Sequence, residues 1–162
     1  SSKHREYVFG IHTTRGIYSG SVCYPVRSVR SMQYKYILNL NSSADFFNLV
    51  TVRNNGIYQQ WLDLTKHEAD RYNYILKYLR RPKEELYNIP TDPYELVNLA
   101  DNPEFAEIKD NLAAKLGDWM KQQGDKGIDT EMASLDRQLM FDENSWKGME
   151  EQQNQKILKS GK

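Results

Sequence analysis

His12 and Arg15 stand three residues apart in a stretch rich in Thr, Ser and Gly, and their side chains suit ligand binding. An arginine offers an oxyanion a planar fork of donors, so the pair could hold a sulfate or carboxylate group. The competing reading is a solvated loop with incidental charges. Glu84 and Glu85 raise a second possibility, because paired carboxylates cleave glycosidic bonds. Adjacent residues of a strand point to opposite faces, however, which separates the two. The same spacing argument divides Arg27 from Arg30, so structural salt bridges are expected of them rather than one anion clamp. Lys35 is read the same way. His67 falls in a helix-capping turn and is expected to be exposed, and His4 carries no signal.

Bulk properties narrow the classes. The chain has 162 residues, enough for one domain with a tail. Its 22 basic and 22 acidic residues cancel, which argues against nucleic acid or an anionic membrane as a general electrostatic partner. Hydrophobic residues make up 39% and include 11 tyrosines, so the core is expected to be modest and aromatic. No run approaches the roughly 20 apolar residues of a membrane span. The single cysteine, Cys23, excludes an internal disulfide framework and a cysteine zinc site. The chain opens on Ser1-Ser2 without a leader, as a processed or internal piece of a longer protein would.

The elements that must position these residues follow from patterning. Tyr7-Val8-Phe9 reads as a short strand ended by Gly10, and residues 11 to 21 as loop. Val26 to Ser31 and Tyr34 to Leu40 read as two strands of a hairpin. Residues 41 to 64 hold apolar patches and a turn signal at Asn54-Asn55-Gly56, an ordered excursion without a clear element. Thr65-Lys66-His67-Glu68 fits a capping box, with Ala69, Tyr72, Ile75, Leu76 and Leu79 following at helical spacing up to Pro82. Glu85 to Ile89 reads as another strand, and Asp92-Pro93 as a turn. Asn102 caps a helix with Pro103 at its first position. Phe105, Ile108, Leu112, Leu116, Trp119 and Met120 form its apolar stripe, and Gly124 closes it. Beyond Lys126 the pattern thins to scattered apolar anchors.

Three blocks of this sequence occur in a telling order. They are Tyr7-Val8-Phe9-Gly10-Ile11-His12-Thr13-Thr14-Arg15-Gly16, Tyr24-Pro25-Val26-Arg27-Ser28-Val29-Arg30 with Tyr34-Lys35-Tyr36-Ile37-Leu38-Asn39, and Glu85-Leu86-Tyr87-Asn88 through Ala100 with the helix to Trp119. Together they resemble the C-terminal part of type I, formylglycine-dependent sulfatases, over residues 5 to 124. The branch containing heparan N-sulfatase is the most similar.

The resemblance implies an α+β fold: a small antiparallel sheet of about four strands, a long C-terminal amphipathic helix packed on it, and an extended C-terminal tail. It divides the chain into residues 1–24, returning from a catalytic domain, 25–124, the α+β subdomain, and 125–162, a wrapping or partly disordered tail. In the family the subdomain docks on a large α/β domain that carries formylglycine, calcium and the sulfate-binding groups. No metal ligand, catalytic residue or cofactor is expected in this chain. The parent is expected to hydrolyse sulfate esters or N-sulfates of glycosaminoglycan-like sugars and to be exported, to a periplasm or lysosome. Its partners are the catalytic domain and the sulfated substrate, and this piece alone is expected to be inactive. His12 and Arg15 would border the substrate mouth.

Cys23-Tyr24-Pro25-Val26-Arg27 imitates the Cys-x-Pro-x-Arg pattern from which the family makes formylglycine. Val26 replaces the usual serine, and Ser28-Val29-Arg30-Ser31 replaces the usual continuation. A five-residue pattern with two free positions matches often by chance, so Cys23 is read as a half-buried thiol. Two other readings stand beside the leading one. They are a free-standing α+β carbohydrate-binding or protein-interaction module, and a self-contained enzyme using Cys23.

Overall fold

The computed structural model describes residues 5–13, 24–46 and 57–133. The chain divides into two units: Ser1–His12, Pro25–Leu40 and Pro82–Thr130 form one, and Thr13–Tyr24, Asn41–Arg81 and Glu131–Lys162 the other.

The first unit is an antiparallel sheet in the order β1-β2-β3-β4 with a long helix across it. The strands are β1 (Val8–His12), β2 (Val26–Arg30), β3 (Tyr34–Asn39) and β4 (Glu84–Asn88). The expected hairpin joins β2 to β3, and the Ser31 hydroxyl caps its turn by accepting from Tyr34 N at 3.0 Å. The register aligns Phe9 with Val29, Val29 with Tyr36, and Tyr36 with Leu86, which puts one apolar row on one face. Helix α3 (Ala106–Gln122) lays Leu112 and Leu116 on that row. Phe9 and Trp119 stack with ring centroids 4.8 Å apart and planes within 2°.

The long helix begins as the sequence predicts. The Asn102 carboxamide accepts from Glu104 N at 3.0 Å, Pro103 occupies the first position, and a 3-10 turn (Pro103–Phe105) leads into α3. Gly124, at φ 68°, ends it, a backbone region costly to a residue with a side chain. Two bonds complete a Schellman motif: Asp125 N donates to Met120 O at 2.8 Å and Gly124 N to Lys121 O at 3.1 Å.

Two departures from the patterning concern strands and turns. β1 does not stop at Gly10 but runs on to His12. Gly10 lies opposite Ser28, where an added Cβ would come within 2.7 Å of the Ser28 hydroxyl, so its missing side chain permits the pairing rather than breaking it. The outer edge of β4 is covered by a side chain that copies a strand. Leu86 N donates to Asn98 Oδ1 at 2.9 Å and Asn98 Nδ2 to Glu84 O at 3.1 Å, while Leu99 N reaches Leu86 O at 2.8 Å.

The second unit holds α1 (Ile57–Thr65) and α2 (Ala69–Leu79). The capping box at Thr65 does not form. Thr65 closes α1 with its hydroxyl donating to Trp61 O at 2.6 Å, and Glu68 makes no side-chain cap for α2. A threonine hydroxyl can bond forward as a cap or back onto the preceding turn, and with a helix already behind it the second wins. α2 ends at Leu79, ahead of Pro82 as expected. Phe46 is buried edge-on against Tyr24 and Tyr78, at centroid distances of 5.1 and 5.6 Å, and its N–H donates to Leu79 O at 2.7 Å.

Of the expected tail, residues 125–133 are ordered around a short helix, α4 (Ile128–Met132), and 134–162 lie outside the described residues.

Candidate functional site

His12 occupies the last position of β1, opposite Val26, rather than a loop. Arg27, whose side chain is 2% exposed, helps to hold it there. Arg27 Nη1 donates to His12 O at 3.4 Å and to Val26 O at 3.1 Å. Nε and Nη2 form a fork on Asp125, at 2.5 Å to Oδ2 and 3.3 Å to Oδ1. Asp125 also accepts from Gly127 N at 2.8 Å.

Burial alone would raise the Asp125 carboxyl. The hydrogen bonds from Arg27 and Gly127 N and the Arg27 charge outweigh it and hold the group below its ordinary value. Both partners are therefore charged at neutral pH. The Schellman turn that ends α3 thus delivers the carboxylate that neutralises a buried arginine on β2 and, through it, secures the backbone at the end of β1. One residue further on, the Thr13 hydroxyl donates to the buried Glu131 carboxylate.

Arg15 and Cys23 fall outside the described residues. The rest of the Cys-x-Pro-x-Arg pattern is described. Pro25 is buried, and Arg27 is engaged with Asp125. Arg30 is exposed at the other end of β2, so the two arginines do not converge.

Glu84 and Glu85 separate as strand geometry demands. Glu84 accepts from the Tyr36 hydroxyl at 2.6 Å, with Lys109 at 3.9 Å. Burial first, and then the Glu84 hydrogen bond, raise the Tyr36 hydroxyl above its ordinary value, so it stays protonated as the donor. Glu85 lies on the opposite face, 3% exposed, accepting from Asn39 Nδ2 at 2.6 Å and the Tyr87 hydroxyl at 2.5 Å. A glycosidase pair needs both carboxylates on one cleft, which this arrangement cannot supply.

Lys35 pairs with Glu95 at 2.8 and 2.9 Å. Glu95 reaches it from the Asp92-Pro93 turn at φ 56°, and the Asp92 carboxylate fixes that turn by accepting from Leu96 N and Val97 N at 3.0 and 2.9 Å. His67 is exposed.

The residue that sequence reasoning missed is Asp125. Its local signal is the flanking pair of glycines, Gly124 and Gly127, but its partner lies 98 residues away. Among the described residues no group of three or more His, Cys, Asp or Glu gathers as a metal site, and no helix is long and apolar enough to cross a membrane.

No family model matches the chain. Curated relatives do. An ulvan-active sulfatase of Formosa agariphila is 34% identical over 119 residues, covering 74% of this chain and 22% of the relative. Human N-sulphoglucosamine sulphohydrolase is 28% identical over 110 residues, 67% of this chain and 22% of the relative. Among solved structures, a 2-O GAG sulfatase aligns with 76% of this chain and 18% of its own, at 24% identity and a TM-score of 0.44. The chain thus spans about a fifth of the length of the curated relatives it matches. Over about three quarters of its length the chain is homologous to sulfatases and corresponds to part of their C-terminal region.

Proposed function

We propose that this chain is the C-terminal part of an exported sulfatase that removes sulfate from a glycosaminoglycan-like sugar. The observation that carries the reading is the 34% identity over 119 residues to an ulvan-active sulfatase. The similarity to N-sulphoglucosamine sulphohydrolase supports a sulfated amino sugar as one candidate substrate. In this reading formylglycine, calcium and the sulfate-binding groups belong to the larger catalytic domain of the parent. The present part covers one side of that domain and contributes residues 11 to 21, His12 and Arg15 among them, to the substrate mouth. The buried Arg27–Asp125 pair fits a supporting role, because it secures the backbone from which that segment departs.

Taken alone, the chain is inactive in this reading. Its purified form, produced alongside a formylglycine-generating enzyme and supplied with calcium, should release nothing from a chromogenic aryl sulfate above the buffer rate. Calcium-dependent turnover would overturn the assignment of chemistry to another domain. The coding frame upstream of Ser1 provides the second test. A Cys/Ser-x-Pro-Ser-Arg motif several hundred residues earlier is expected, and a start codon immediately upstream of Ser1 would count against the parent-enzyme reading.

A further inference from the structure

The C-terminal end of helix α2 is more basic than the chain as a whole. The helix itself carries Arg71 and Lys77 against Asp70, and Arg80 and Arg81 follow its last residue, Leu79, in a protein whose charges balance. Asn73, Tyr74 and Lys77 stand at three- and four-residue spacing along one side of the helix, and Arg80 is the capping residue just past its end. With Asp70 and Leu76 they line an open cavity of about 690 Å³. Tyr74 is 53% exposed. The Lys77 ammonium stands 5.2 Å from its ring centroid, so an aromatic face and a cation are held together in advance.

Among the described residues the Arg80 side chain pairs with Asp45, at 3.6 Å, with side chains 74% and 38% exposed. Such an exposed, solvent-screened pair offers little resistance to a competing anion. From Asn73 to Leu79 the helix rises about 9 Å, long enough for more than one sugar ring. The acidic Asp70 sits at the opposite end of the row from Arg80.

We propose that this face of α2, with the Arg80 that caps it, binds a sulfated polysaccharide, Lys77 and Arg80 meeting sulfate groups while Tyr74 packs against a sugar face. The choice of a sulfated sugar over other polyanions rests on the sulfatase reading above and on the exposed tyrosine. A phosphate polymer would be met by the charges alone.

The test is binding of the 162-residue chain to immobilised heparin and to ulvan, each beside its chemically desulfated form, across a salt series. Retention on the sulfated polymers that weakens as salt rises is expected. The double variant Lys77→Ala/Arg80→Ala should lose about tenfold or more in affinity, with Lys77→Arg close to wild type. Tyr74→Ala should lose a smaller factor, about threefold, that changes little with salt. All three side chains are solvent-facing, and an unchanged circular dichroism spectrum confirms that the variants fold.

Failure to bind either sulfated polymer, equal binding to the desulfated forms, or variants indistinguishable from wild type would each overturn the proposal. So would equal or tighter binding of single-stranded DNA of matched charge. None of these outcomes touches the sulfatase reading, which stands or falls on the upstream motif and on turnover.

Discussion

Helix α3 buries Leu112 and Leu116 to 5% and 1% exposure, whereas α2, with an equally clear apolar period, buries none of its described side chains to that degree. The period is common to both, and the ends differ. α3 has a side-chain N-cap on its leading turn and a Schellman C-cap that carries a charged residue into the sheet. α2 has neither, and its outward side gathers tyrosine and basic residues. Periodicity thus marks a helix without saying whether it builds the core or presents a surface. The termini and the opposite face decide that.

Substitutions along the two helices test the contrast, beginning with the largest effect. Asp125→Ala leaves the Arg27 charge buried without its fork, which should cost about 4 kcal/mol in urea unfolding. The same carboxylate sets a pH window. Its folded value lies below the ordinary 3.8, so its contribution is present above that pH and is lost as pH falls through the folded value. Stability measured from pH 5 to pH 2 should fall steeply in wild type, and less steeply in Asp125→Asn.

Next comes Leu116→Ala, expected to cost about 3 kcal/mol through loss of packing and the cavity left behind. Leu76→Ala, at a half-buried position of α2, should cost about 1 kcal/mol, and equal losses at the two positions would break the comparison. Gly124→Ala meets no neighbour within 4 Å, so its cost, about 1–2 kcal/mol, comes from the left-handed backbone alone. Asn102→Ala should be the mildest on α3, about 1 kcal/mol, read as a drop in thermal midpoint.

Much of the first unit was legible because its signals are local. Alternation marked β2 and β3, the apolar stripe marked α3, and Asn102 and Gly124 marked its ends. The opposite faces of Glu84 and Glu85 followed from strand geometry alone. Helix α1 was not legible. It is preceded by Asn54-Asn55-Gly56, a turn signal, and the threonine that ends it has the chemistry of a residue that starts one. The extent of β1 was missed because a glycine reads as a strand end until the facing residue, Ser28, is known. The Arg27–Asp125 pair depends on two residues 98 apart, a contact that no local pattern encodes. The candidate site was therefore only half readable. The residue types were visible at His12 and Arg15, but the groups that secure the His12 backbone were not.

Asn98, described above as a side chain that copies a strand, also bears on solubility. A bare sheet edge is a template on which a second chain can grow, and here the groups it would use, Leu86 N and Glu84 O, are already taken. Replacing Asn98 with valine would return both groups to solution beside a strand of high β-propensity. The hazard of that change is self-association on concentration, a property of many molecules rather than of one.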